Sequence, residues 1–164
     1  MQPNKNWPRW IMASIADYFK TAAQAIPLPL LVEGVDERMG DKEHYDHAEL
    51  RINGPSIVEL SRGYFRVVVG VNVLLTELMD RTNVYDLQDW CGAFEVAMDG
   101  PINLYHYGPD TGGVDDSAWF ECLTPQRSKF DPNRIFHFGQ ISKTDRVRQS
   151  MVDGAFICYI TVSN

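Results

Sequence analysis

The stretch Tyr64 to Leu75, YFRVVVGVNVLL, limits what the rest of the chain can be. In extended conformation Phe65, Val67, Val69, Val71, Val73 and Leu75 fall on one face, and Tyr64, Arg66, Val68, Gly70, Asn72 and Leu74 fall on the other. The first face is wholly apolar and mostly β-branched, so it reads as a central or near-central strand whose apolar side is covered by helices. The remaining elements must supply that cover.

They arrive in a definite order. Asn6 reads as an N-cap with Pro8 in the first turn, opening a helix. Its apolar and aromatic stripe runs from Trp7 to Ile26 and is ended by Pro27 and Pro29. Leu28 to Val32 is a short extended piece, and Glu33 to Asp46 (EGVDERMGDKEHYD) is a long polar loop. His47 to Ile52 and Ile57 to Leu60 are expected as two strands separated by a turn at Asn53-Gly54-Pro55. A second turn at Ser61-Arg62-Gly63 leads into the organising strand, which makes residues 47–79 an antiparallel meander. A cap at Thr82-Asn83 starts a second helix, with a stripe of Leu87, Trp90, Cys91, Phe94, Ala97 and Met98 closed by Gly100-Pro101. Strands follow at Ile102 to Tyr107, Trp119 to Leu123, Arg134 to Ile141 and Ala155 to Val162, with a glycine-rich loop from Gly108 to Asp116. The order predicts a single α+β domain over residues 1–164, a mainly antiparallel (mixed) sheet with two helices packed on one face.

Bulk properties exclude several classes. At 164 residues the chain suits one domain, which at this size buries about 70% of the surface its unfolded form exposes. The longest uncharged stretch, Thr21 to Val32, holds two prolines and is too short to span a bilayer. The start MQPNKNWPRW lacks the layout of a signal peptide, so synthesis in the cytosol is expected and no membrane partner. Cys91, Cys122 and Cys158 are widely spaced among apolar neighbours and read as free thiols. A net charge of −7 argues against a nucleic-acid binder working through a basic surface.

No stretch presents an active site as clearly. Asp41, Glu43, His44, Asp46 and His47 could converge on a metal, but their spacing fits no established ligand pattern and a solvated loop explains them better. His106 and His137 sit between aromatic residues in expected strands, with no nucleophile motif to partner them. GPDTGG, Gly108 to Gly113, lacks the lysine of a phosphate-binding loop. No catalytic, metal or cofactor-binding residue is assigned.

Charge is distributed unevenly. Glu33 to Glu49 holds seven acidic residues against Arg38 and Lys42, whereas Arg127 to Arg148 holds six basic residues against Asp131 and Asp145. Patches of opposite sign placed on different sides of one small domain permit a heterologous head-to-tail contact, which closes into a ring when the rotation allows.

The aromatic N-terminal helix from Trp7 to Ile26, the meander carrying YFRVVVGVNVLL, the helix around LQDWCGAFEVAM and the closing strand AFICYITV together resemble the tail terminator (tail-completion) proteins of long-tailed bacteriophages. The loops at 33–46 and 108–116 are long for a minimal member of that family. The resemblance implies a structural virion protein with no enzymatic activity and no cofactor. It implies a homohexameric ring at the head-proximal end of the tail that terminates tube polymerisation and docks to the neck. Its partners would be further copies of itself, the tail-tube protein and a neck or connector protein, with DNA passing through the lumen without specific binding. Location in the virion, and in the host cytoplasm during assembly, follows from the same resemblance. Glu33, Asp36, Glu37, Asp41, Glu43, Asp115 and Asp116 are the expected acidic contacts, and Arg127, Lys129, Arg134, Arg146 and Arg148 the basic ones. Two other readings stay open: another neck or head-completion ring protein, and a small α+β enzyme or ligand-binding domain.

Overall fold

The structure is a computed structural model that describes residues 3–26, 28–36, 46–78, 85–108, 119–126, 134–140 and 147–162. Two helices, α1 (Trp7–Ala23) and α2 (Asp86–Met98), pack on one face of a sheet built from β1 (Leu30–Val32), β2 (His47–Ser61), β3 (Tyr64–Leu78), β4 (Ile102–Leu104), β5 (Glu121–Pro125), β6 (Arg134–Gln140) and β7 (Val147–Thr161). The strand order is β1-β2-β3-β7-β5-β4, with β6 also paired to β7. Among the described residues only β1 against β2 is parallel, so the expected α+β class with a mainly antiparallel sheet holds.

β3 lies between β2 and β7 and is paired to β7 along its whole length. Its expected apolar face is sealed: Phe65, Val67, Val69, Val71, Val73 and Leu75 are all buried. Helix side chains cover them, with Trp7 edge-on to Phe65 at 5.3 Å between ring centroids and Phe19 edge-on to Phe156 of β7 at 6.5 Å. The α2 stripe read from the sequence is buried in full.

Several boundaries differ from expectation. α1 stops at Ala23 rather than Ile26, because Gln24, Ala25 and Ile26 turn their N–H groups to carbonyls three residues back and tighten the last turn ahead of the prolines. Asn6 occupies the N-cap position with helical backbone and no side-chain cap bond, and Asn4 Oδ1 instead accepts its N–H at 2.9 Å. The Asn53-Gly54-Pro55 signal makes no chain reversal. β2 runs through it as a bulge in which Gly54 and Pro55 together oppose Val69, with Gly54 at φ +109° and the Gly54-Pro55 peptide cis. The long apolar β3 offers pairing on both sides of the signal, and proline is tolerated at an outer strand where its missing N–H breaks no ladder. The polar link before Ala155 is also strand, since β7 begins at Val147. Cross-strand pairs hold this half: Gln149 Nε2 donates to Thr76 Oγ1 at 3.1 Å, and Arg148 meets Glu77. β4 is shorter than expected and ends at Leu104. The Thr82-Asn83 cap lies outside the described residues.

Candidate interaction edges of the sheet

Pairing along β2 is incomplete on its outer side. β1 covers Ala48, Glu49 and Leu50, and from Ile52 to Ser61 no strand lies beyond β2 among the described residues. Val58 and Leu60 stand 42% and 49% exposed on this stretch. On the other side of the sheet β6 pairs with β7 through Arg134–Asp153 to Gln140–Arg148, and its outer side is likewise open among the described residues. Phe136 and Phe138 there are 43% and 52% exposed. Backbone groups along such edges can accept another strand, and large exposed apolar side chains beside them are unusual in edges protected against pairing. Sequence reading did not find these four residues. The signal was present in the FHF and IVEL patterns, but edge status depends on which strands pair, which no local pattern states.

The acidic segment leaves β1 and returns as β2, and the basic segment flanks β6 before entering β7. Glu33 is exposed and lies 3.8 Å from Arg51 Nε, while Arg51 Nη2 also meets Glu49 Oε2 at 3.2 Å. Asp36 serves its own turn, its Oδ2 accepting the Val32 N–H at 2.7 Å. Arg134 begins β6 with its backbone opposite Asp153. Glu37, Asp41, Glu43, Asp115, Asp116, Arg127, Lys129 and Arg146 lie outside the described residues.

Arg148 is placed differently from the expectation of a contact residue. Its Nη2 lies 2.8 Å from Oε2 of the fully buried Glu77, so its charge is engaged inside the chain. Loss of water raises the Glu77 pKa above the usual carboxylate range; Arg148 opposes that shift, and Asp46 and Asp86 add to it. This pair was not legible because its partners are 71 positions apart, Glu77 on β3 and Arg148 on β7.

Those residues read as possible chemistry that the structure describes are engaged with neighbours within the chain. Asp46 Oδ1 accepts the Leu78 N–H at 2.7 Å, and the buried His47 ring lies 3.3 Å from Glu49 Oε1. Asp41, Glu43 and His44 lie outside the described residues. His106 stacks on Phe120 at 4.8 Å and meets Trp10 edge-on at 4.4 Å. His137 Nδ1 is 2.8 Å from Ser150 Oγ, which is fully buried. Burial pushes the Cys91 thiol up to about 11 and the Cys158 thiol up to about 12, which leaves both protonated and unreactive at neutral pH. Cys122 is half-buried. Of GPDTGG only Gly108 is described, and its carbonyl accepts from Arg9 Nη1.

A groove of about 790 Å³ lies between α1, α2 and β4, lined by alanines with Asp17, Tyr105 and Tyr107 among its polar residues. Tyr107 donates its hydroxyl to Asp17 Oδ2 at 2.7 Å, and burial, followed by that carboxylate, raises the phenol pKa. No helix among the described residues is long and apolar enough to cross a membrane.

No family model matches the chain, and no curated protein matches it. Nine solved chains resemble it in structure. One of them has a TM-score of 0.52 at 11% identity, with the likeness covering 95% of this chain and 96% of that one. At that identity the likeness is one of fold alone.

Proposed function

We propose that this chain is a structural virion protein of the tail terminator type, a ring-forming subunit that caps the tail tube and docks the tail to the neck. One observation carries the reading: among the described residues two open stretches, on β2 and β6, lie on opposite sides of the sheet, and the neighbouring segments of the sequence carry opposite charge. β1 and β2 bracket the acidic run and β6 sits within the basic run. Surfaces that complement each other without being the same surface make a heterologous contact, and repetition of that contact by rotation produces a ring. Charge of opposite sign guides the encounter and fixes its sense, while like margins repel. Net charge of −7 on the subunit keeps DNA from sticking to a lumen it must traverse.

The test is native mass by light scattering over a concentration series, alone and with purified tail tubes, followed by negative-stain imaging. A discrete ring near six copies is the expected result. A chain that stays monomeric alone and in the presence of tubes overturns the reading. Ring stability should fall between low salt and about 1 M salt, where screening acts within roughly 3 Å. The groove between α1 and α2 favours a second reading, a small ligand-binding domain; saturable binding of a small molecule there by a permanent monomer would establish it.

A further inference from the structure

Resting on the head-to-tail reading above, we propose that the contact between copies is a strand pairing: the open stretch of β2, Ile52 to Ser61, hydrogen-bonds to β6 of the next copy, so that the sheet runs unbroken around the ring. Among the described residues no strand lies beyond either edge, and each carries two large exposed side chains, Val58 and Leu60 on one and Phe136 and Phe138 on the other. The occupant of each edge is thus a second copy of this chain, supported by the opposite charge of the sequence segments that adjoin β2 and β6.

Strand direction agrees. β2 runs opposite to β3, β3 opposite to β7, and β7 opposite to β6, so β6 runs opposite to β2. Copies related by rotation about a ring axis keep their strand directions. The junction is therefore antiparallel, like the sheet on either side of it, and antiparallel pairing is the slightly stronger kind.

The offset between the edges sets the tilt such a ring would need. Ile57, midway along the open stretch of β2, sits opposite Val67 of β3, whereas Phe136 of β6 sits opposite Met151, which sits opposite Leu74. The edges are diagonally placed, displaced along the strands by the distance from Val67 to Leu74, about 23 Å at the usual rise per residue. Across one copy the path β2, β3, β7, β6 and the junction is about 19 Å wide at the usual strand spacing. A step of that height over that width closes without a staircase when the strands tilt about 50° from the ring axis, a little steeper than the 35–45° typical of closed barrels. The helices on one face of the sheet would then all lie on the same side of the closed wall.

The experiment uses two double variants of the full chain, Val58→Lys with Leu60→Lys, and Phe136→Lys with Phe138→Lys. All four side chains are exposed in the monomer, and circular dichroism checks that each variant keeps the native fold. Each variant alone should lose self-association by at least about tenfold in dissociation constant. An equal mixture should form a heterodimer and nothing larger, because one intact β6 meets one intact β2 edge. In the wild type, hydrogen exchange at 52–61 and 134–140 should slow on assembly, a readout that decides the matter even if a variant does not fold. Rings that form normally in both variants, with no added protection at these edges, overturn the strand pairing and leave the ring reading standing. A wild-type chain monomeric alone and with tail tubes overturns both.

Discussion

The two faces of β3 are made from one continuous sequence and behave differently. On the helix-covered side Val67, Val69, Val71, Val73 and Leu75 are fully buried. On the other side Tyr64, Val68, Asn72 and Leu74 are half-buried, Tyr64 stacks on Tyr159 at 5.7 Å, and a hydrogen-bonded row crosses three strands from Asn53 through Asn72 to Asp153. Stability resides mainly in the first face; the second is held by pairwise side-chain contacts that leave it in reach of solvent. The sharpest break in this comparison is Phe156→Ala against Ile157→Ala, adjacent residues of β7 on opposite faces. Removing the fully buried Phe156 should cost about 3–5 kcal/mol, and removing the half-buried Ile157 about 1 kcal/mol. Urea denaturation of both variants measures the difference; equal costs would mean that the open face is as much a core as the covered one.

This asymmetry explains what could be read in advance. Period-two burial of β3 and the α2 stripe were legible because each is decided by side chains within one element, all of which must meet the same core. The strand from Val147 to Gly154 was not, since Arg148, Gln149, Ser150 and Asp153 carry no apolar alternation. It is a strand because β3 is long enough to demand a partner there. The bulge at Gly54 and Pro55 was misread as a turn for the same reason, the deciding information being in the opposite strand. Of the candidate contact residues, charge segregation along the sequence was legible, but the apolar residues beside the open edges and the inward commitment of Arg148 emerge only with topology.

Glu77 is the exception on the covered face, a carboxylate where the pattern calls for an apolar side chain. Arg148→Ala leaves it buried without its cation and should cost about 3 kcal/mol at neutral pH. The pH dependence follows from the raised pKa. The native state holds the Glu77 proton more tightly than the unfolded chain does, so this group favours folding below the ordinary carboxylate range, and that contribution is lost as pH rises through the raised value. Acidification should therefore restore part of what Arg148→Ala removes, and Glu77→Gln should abolish that recovery. A loss in Arg148→Ala that is independent of pH would show that packing of the arginine stem, rather than its charge, is what matters.

Two glycines one strand apart give a finer comparison. Gly154 of β7 faces the helices, and a Cβ there would come within 2.8 Å of Met98 Sδ. Gly154→Ala should cost about 1–3 kcal/mol, since α2 must lift or Met98 must leave its rotamer. Shortening the obstacle with Met98→Ala in the same chain should recover part of the steric cost, and the coupling in that double-mutant cycle measures how closely α2 sits on the sheet. Additive losses would place the strain elsewhere.

Gly70, the neighbour of Gly154 across to β3 and one residue along, faces the open side. A Cβ at that position would lie 3.5 Å from Asn53 Cβ, an ordinary contact, and its backbone is not in the left-handed region. Nothing on this face resists the added methyl group, while glycine within a strand forgoes packing and carries extra unfolded-state entropy. Gly70→Ala should therefore stabilise the chain by about 0.5 kcal/mol, a small upward shift in the denaturation midpoint with an unchanged slope. A loss in place of that gain would mean that the Asn53–Asn72–Asp153 row tolerates no crowding, and that the open face is more tightly specified than its exposure indicates.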